Sequence, residues 1–361
     1  LNWGLGHATR CIPIIKALIQ NHAEVFIGAD GRPLYLLKKE FPELTFIKFS
    51  GYNISYPSNG NMVWKMLMHI PKIFYGIYQE HRELEKIIEK YNIDGIISDN
   101  RYGLWNKKIK TAFITHQLWV KCPNYLKFLE PFLFIINRFF ISKFDECWVP
   151  DNEGDENLSG ELSHKKPFAN ARFIGPLSRF KLNNIQSNGN NDLNKYDLLV
   201  LLSGPEPQRT VFEKIILEQL KKVQLKAIVV RGIVEENEVT HNGFDMHSHM
   251  DTCELHQAIL SSGLVLCRPG YSSIMDLAAI GKKAIFVPTP GQTEQEYLAK
   301  EMHKKGLAYS EEQKGFNLER AVKKSAGFTG LNAQSRLSIM ENTIEKFLDA
   351  LKCKDYFLTT P

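Results

Sequence analysis

The chain has 361 residues, a length that suits two domains of roughly 150–200 residues each better than a single core. Apolar residues make up 43% and charged residues 24%, which excludes a disordered or fibrous chain, and no apolar run reaches the roughly 18–20 residues needed to cross a bilayer. The net charge of +5 arises wholly in residues 1–180, which hold 23 Lys+Arg against 18 Asp+Glu while the remainder holds 22 of each; this is too mild for a nucleic-acid partner but compatible with an anionic acceptor or an anionic membrane surface.

Strand-like and helix-like patterns alternate from the start, the signature of a parallel sheet with crossover helices. The sequence opens at Leu1 straight into a Gly-rich turn. A doubly wound fold places a strand before such a turn, so a first strand is expected to precede Leu1, and a targeting segment there is left open. Helical patterns then cover Ala8–Ile19, Trp64–Tyr91 with an interruption at Pro71, and Tyr125–Ser142. Strand-like runs fall at Glu24–Gly28, Thr45–Phe49, Gly95–Ser98, Ala112–Thr115 and Glu146–Val149. Residues 181–195 are polar, with five Asn, one Ser and one Gly between Lys181 and Asn191, and are expected to be a linker.

The alternation then restarts. Strands are expected at Asp197–Leu202, Leu225–Val230, Leu264–Cys267 and Ala284–Val287. Helices are expected at Arg209–Lys221, Thr252–Ser261, Ser272–Ile280, Glu294–Lys304 and Leu331–Leu351. The reading is therefore an α/β chain of two facing Rossmann-like domains, 1–180 and 196–361, with the last helix packing back on the first. Ligands of such sheets bind at the carboxyl ends of the strands, so the crevice between the domains is the expected active site. The six cysteines have no C-x-x-C spacing, which points to small buried hydrophobes in a reducing cytoplasm rather than a zinc site or disulfides.

Three motifs carry chemistry. Gly4-Leu5-Gly6-His7 opens the first helix, where glycines admit a ligand to backbone amides and the helix dipole favours an anion. His7 there is either a general base for an acceptor hydroxyl or a structural cap, and Asp99, just after a strand, is the fallback base. Ser203-Gly204 follows another strand and could donate to phosphate oxygens, although Pro205 and Pro207 remove donors and Glu206 adds negative charge. The most informative stretch runs from Cys267 to Gly281. A strand ends in Arg268-Pro269-Gly270, and Tyr271, Ser272 and Ser273 open a helix carrying Asp276 in its second turn. Gly270 to Ser273 offer N–H and O–H donors to a diphosphate, Arg268 offers charge, and Asp276 offers acceptors to a ribose diol. The next loop and helix start bring Gln292, Gln295 and Glu296, suited to sugar hydroxyls. His247 and His249 lack the spacing of a metal pair, and no D-x-D pair follows an apolar strand, so no metal is expected.

The segment from Cys267 to Ala299 resembles the donor-binding region of family 28 glycosyltransferases, the MurG-like group. The resemblance implies a GT-B fold and an inverting, metal-independent transfer from a UDP-sugar, the donor substrate, with no resident cofactor. It sets Arg268, Gly270 and Ser272 near the diphosphate, Asp276 at the ribose, and Gln295 and Glu296 at the sugar. It also sets Gly4, Gly6, His116 and Gln117 on the acceptor side. Two positions depart from the family pattern: Asp276 stands where Glu is usual, and Glu296 where a second Gln is usual. Trp64–Tyr75 and Tyr125–Phe144 mix aromatic and basic residues as interfacial helices do. The resulting expectation is a cytoplasmic hexosyl- or N-acetylhexosaminyltransferase with a lipid-linked or glycan acceptor, peripheral at the inner face of a membrane. A sugar-nucleotide epimerase or hydrolase of the same fold, and a non-catalytic sugar-nucleotide binder, are the alternatives.

Overall fold

A computed structural model describes residues 6–49, 62–180, 195–233, 244–332 and 337–358, with side chains described from 71 in the second of these segments and from 338 to 352 in the last. Gly4 and all but the end of the polar stretch 181–195 lie outside the described residues. The chain forms two compact units, Leu1–Leu177 with Ser335–Pro361, and Ser178–Gln334.

In the first unit, α1 (Gly6–Gln20), β1 (Phe26–Ala29), α2 (Gly31–Glu40), β2 (Thr45–Lys48), α3 (Met62–Tyr91), β3 (Gly95–Asp99) and β4 (Lys110–Ile114) follow in turn. A 3-10 turn over Asn124–Leu129 leads into α4 (Glu130–Ile141), followed by β5 (Glu146–Val149), the short α5 (Glu161–His164) and β6 (Ala171–Phe173). β1 and β2 pair in parallel, and β3-β4-β5-β6 form a four-stranded parallel sheet. β5 is buried along its whole length, and Trp148 at its centre is fully enclosed. Strands of this kind, covered on both faces, read as continuous apolar runs rather than alternating ones.

The second unit contains β7 (Tyr196–Leu201), α6 (Gln208–Leu220), β8 (Ala227–Val230), β9 (Phe244–His247), α7 (Thr252–Leu260), β10 (Ser262–Cys267), α8 (Tyr271–Ile280), β11 (Ala284–Phe286), α9 (Thr293–Lys304), β12 (Tyr309–Ser310) and α10 (Leu318–Ser325). Its six strands are all parallel, in the order β12-β11-β10-β7-β8-β9. Numbered within the unit, this is 6-5-4-1-2-3, the order of a doubly wound Rossmann sheet, and it reverses between β7 and β10. α7 is started by a capping box in which Asp251 accepts from the Cys253 and Glu254 amides. α8 is stopped by Gly281 at φ 75°, a left-handed cap that a side chain would strain. α11 (Leu337–Leu358) then returns to the first unit, where it packs on α1 and β4. There Phe347 meets Trp148 edge-on at 5.4 Å.

Several local expectations change. α3 runs through Pro71 without interruption: the lost backbone bond is one among many along its 30 residues. Tyr125–Ser142 is a 3-10 turn joined to a shorter α4, with Pro131 at the start of the α-helical part. The last helix starts at Leu337 rather than Leu331 and extends to Leu358.

Candidate active site

The first constellation belongs to the first unit and gathers at the start of α1 and the carboxyl ends of β3 and β4. His7 lies in the first turn of α1, and its Nδ1 is 3.2 Å and 3.3 Å from the two oxygens of Asp99, the last residue of β3. Arg10 lies one helical turn on from His7, so the two share a face. It is 2% exposed and sends Nε to Asp99 Oδ2 at 3.0 Å. Its Nη2 bonds Asp99 Oδ1 closely and approaches His7 Nδ1 at 2.9 Å, while Nη1 donates to His116 Nδ1 at 3.1 Å. Cys11 Sγ is 3.5 Å from the same carboxylate.

The charges of this cluster set the protonation of its members. Burial alone would raise the Asp99 carboxyl, but the charges of Arg10 and His7 and their hydrogen bonds override it and hold Asp99 well below the usual carboxylate range. A carboxylate so firmly ionised is a poor proton acceptor, and its contacts with Nδ1 suit it to orienting the His7 ring. Burial, then the Arg10 charge, push the His7 imidazole below its ordinary value against the opposing pull of Asp99. His7 is therefore neutral at pH 7. With Nδ1–H directed at Asp99, Nε2 carries the lone pair that a general base needs. Arg10 can only donate, so it competes with Asp99 for Nδ1 and bears on which tautomer His7 adopts. Burial, with Asp99 next, keeps the Cys11 thiol protonated.

Of the remaining residues expected on the acceptor side, Gly6 begins α1 and its carbonyl accepts from Thr9 Oγ1 at 3.0 Å. His116 is 5% exposed. Gln117 is half-buried, and its amide and carbonyl engage Thr115 Oγ1 and Asn137 Nδ2. The sequence reading passed over Arg10, although its spacing of three from His7 on a helix was the available signal.

The second constellation belongs to the second unit and lies where its strand order reverses. Ser203 and Gly204 follow β7, the turn from Arg268 to Gly270 follows β10, and Thr289 follows β11. Ser203 is exposed, and Gly204 has φ 108°, a conformation that a side chain would strain. A Cβ at Gly204 would lie 3.8 Å from Thr289 Oγ1, a buried hydroxyl with no hydrogen-bond partner. Glu206 does not repel an anion with a bare charge, because Arg209 Nε (2.6 Å) and the Thr210 amide (3.2 Å) engage its carboxylate. α8 starts at Tyr271 after Gly270, a cap residue with no side chain of its own to cap the helix, and Ser272 and Ser273 are half-buried in its first turn.

Arg268 departs from expectation. It is 1% exposed, lies over the Phe212 ring at 4.1 Å, and donates to Val287 O (2.9 Å), Pro288 O (3.0 Å), Gln208 O (3.3 Å) and Gln313 Oε1 (2.5 Å). Its guanidinium ties the loop after β11 to the start of α6 and to the segment after β12, so it does not lie open for direct contact with a phosphate. Burial brings its pKa down to about 10, and it remains charged at pH 7. Asp276 is also engaged: it accepts from Ser178 Oγ (2.7 Å) and the Arg179 amide (3.3 Å), and pairs with Arg179 Nε at 3.4 Å. Burial raises its pKa against the opposing Arg179 charge and Ser178 bond. Gln295 Oε1 accepts from the Thr289 amide (2.8 Å) and Glu296 Oε1 from the Gly291 amide (2.9 Å), so both strap their own loop. Gln292 caps α9 with its backbone only. Gln208, Gln313, Ser178 and Arg179 were not singled out from sequence, since only the fold brings them to these partners.

Comparison with known proteins bears on the fold and the class of activity. Residues 207–349 match the glycosyltransferase family 28 C-terminal domain. An uncharacterized glycosyltransferase of Methanosarcina acetivorans is 25% identical, over 81% of this chain and 77% of its own length. MurG of Acinetobacter baumannii has a TM-score of 0.55 at 11% identity, covering 94% of this chain and 95% of that one. S. aureus MnaA, in a co-structure with UDP, has a TM-score of 0.56 at 12% identity, covering 96% and 94%. The fold is GT-B, two Rossmann-like domains in one chain, and the protein is a glycosyltransferase of that architecture. Within it, the match to the family 28 C-terminal domain covers most of the second unit and runs into α11.

Proposed function

We propose that the protein transfers a hexose or N-acetylhexosamine from a UDP-sugar to a hydroxyl of a lipid-linked or glycan acceptor, with inversion and without a metal. The observation that carries this reading is the convergence of the loops after β7, β10 and β11 at the point of strand reversal, where doubly wound sheets take their ligands. The first turn of α8 meets the diphosphate through its amides and hydroxyls, with Ser203 beside it, and the helix dipole supplies the electrostatic role a cation would otherwise fill. Asp276 has acceptor capacity left after Ser178 and Arg179 for a ribose hydroxyl. The Oε1 atoms of Gln295 and Glu296 hold the sugar loop, which leaves the Gln295 amide nitrogen to face the sugar.

On the acceptor side, His7 held by Asp99 removes the proton as the acceptor oxygen attacks the anomeric carbon in line and UDP departs. A single displacement of this kind inverts the anomeric centre. A lipid-linked acceptor agrees with a place at the cytoplasmic face of a membrane, and among the described residues no helix is long and apolar enough to cross one. Titration calorimetry with a panel of nucleotide sugars tests the donor: UDP-sugars should bind, and Asp276→Ala should weaken binding about tenfold or more. Unchanged UDP affinity in that variant would remove the donor seat. Incubation without acceptor separates the rival activities, since isomerised sugar or rapid UDP release would indicate an epimerase or hydrolase.

A further inference from the structure

Two neighbouring helix starts in the second unit differ in charge. β10 and β11 pair in parallel with Cys267 opposite Phe286, and the Val287 amide donates to Cys267 O at 3.1 Å. The turn into α8 and the loop into α9 therefore leave the sheet side by side. The first turn of α8 carries no acid, whereas that of α9 carries Glu294 and Glu296. Arg268 lies beneath both, bonded to Val287 O and Pro288 O, so it does not distinguish them. Each helix start presents a positive dipole end, which favours an anion unless acids in the same turn offset it. An anionic group is favoured at α8 and opposed at α9.

Three side chains mark the α9 loop as a place for a polar but uncharged group. Thr289 Oγ1 is buried without a hydrogen-bond partner, and it lies 3.8 Å from where a Cβ at Gly204 would stand. A buried hydroxyl left unpaired is uncommon and points to a polar atom arriving from a ligand. Gln295 is 7% exposed and spends Oε1 on the Thr289 amide, while its Nε2 has no partner among the described residues. Glu296 is half-buried, accepts the Gly291 amide on Oε1, and forms no ion pair among the described residues. A bond from a neutral amide leaves the charge of that carboxylate in place. Sugar hydroxyls suit all three side chains, since each hydroxyl both donates and accepts. A carboxylate on the sugar would instead meet Glu296 as a like charge in a partly buried site, which is costly.

We propose that Glu296 makes the donor site selective for an uncharged sugar, taking one that carries hydroxyl or acetamido groups and turning away one that carries a carboxylate. This deepens the proposed function by assigning the residue that sets the donor class, and it rests on the reading of these loops as the donor seat.

The test is titration calorimetry of the full chain with UDP, UDP-glucose and UDP-glucuronate, the last two differing only at the sugar carboxylate. The wild type should bind UDP-glucuronate about tenfold more weakly than UDP-glucose. That gap should narrow as salt rises. Glu296→Gln keeps an oxygen for the Gly291 amide and removes the charge, so it should bring the two Kd values within about threefold of each other, chiefly by tightening UDP-glucuronate. Glu294→Gln, at the other acid of the turn, should leave the gap in place. Equal affinity for the two sugars in the wild type would overturn the proposal. So would a gap that survives Glu296→Gln, or one that Glu294→Gln closes. Absence of UDP binding would remove the donor seat and this assignment together, whereas UDP bound without discrimination between the sugars would remove the assignment alone.

Discussion

Arg10 and Arg268 are buried to the same degree, at 2% and 1% exposure, and the structure uses them in opposite ways. Arg10 is neutralised by Asp99 and shares its fork with two imidazoles, so its charge is spent locally on setting proton positions. Arg268 pairs with no carboxylate among the described residues and is solvated by three backbone carbonyls and an amide oxygen. Dipoles of that kind stabilise a cation without cancelling its net charge. The floor of the loops after β7, β10 and β11 therefore keeps a positive field, and an anion arriving above them is attracted without touching the guanidinium. The comparison teaches that one buried arginine is neutralised within its cluster while the other keeps a net charge beneath the loops after β7, β10 and β11.

The sharpest way to break this comparison is Arg268→Met. Several acceptors would lose their donor at once, and the unfolding free energy should fall by about 4 kcal/mol by chemical denaturation, with UDP binding lost as the loops loosen. A loss below about 1 kcal/mol would show that Arg268 is not the tie between those loops. Next in size is His7→Ala, which should lower kcat about a hundred- to thousandfold while leaving the Kd for UDP unchanged. Unchanged turnover would remove His7 as base.

Arg10→Gln gives a smaller, directional effect. In the wild type the His7 pKa lies below its ordinary 6.5, so the base form is present above that lowered value and kcat/KM falls as pH drops through it. Loss of the Arg10 charge removes one of the lowering influences, so the acid limb should move to higher pH. A limb that stays in place would mean the two charges are not coupled. Thr289→Val is the mildest: it removes a buried hydroxyl that has no partner, so stability should hold or rise by up to about 1 kcal/mol. If that hydroxyl serves the donor, UDP-sugar affinity should drop about threefold to tenfold by calorimetry.

Much of the donor side was legible because it is local. The apolar run to Cys267, the Pro269-Gly270 turn and the stop at Gly281 fix a strand, a turn and a helix from adjacent residues, and the structure has them within a residue or two. The inward course of Arg268 was not legible, since it depends on Gln208 and Gln313, 60 and 45 residues away in sequence. Asp276 likewise looked open for a ligand until Ser178 and Arg179 came beside it. β6, β9 and β12 were missed because strands of two to four residues have almost no periodicity of their own and take their register from neighbours. α2 had readable signals, Asp30 as cap and Pro33 in the first turn, that went unused.

The return of α11 has a practical consequence for dissecting the enzyme. Residues 178–334 form one uninterrupted piece of chain and can be produced as a single polypeptide, whereas the other unit is assembled from two separate stretches, 1–177 and 335–361. Truncation before residue 347 would strip Phe347 from Trp148 and Leu351 from Gly95, so damage after residue 334 would be felt in the sheet of β3 to β6.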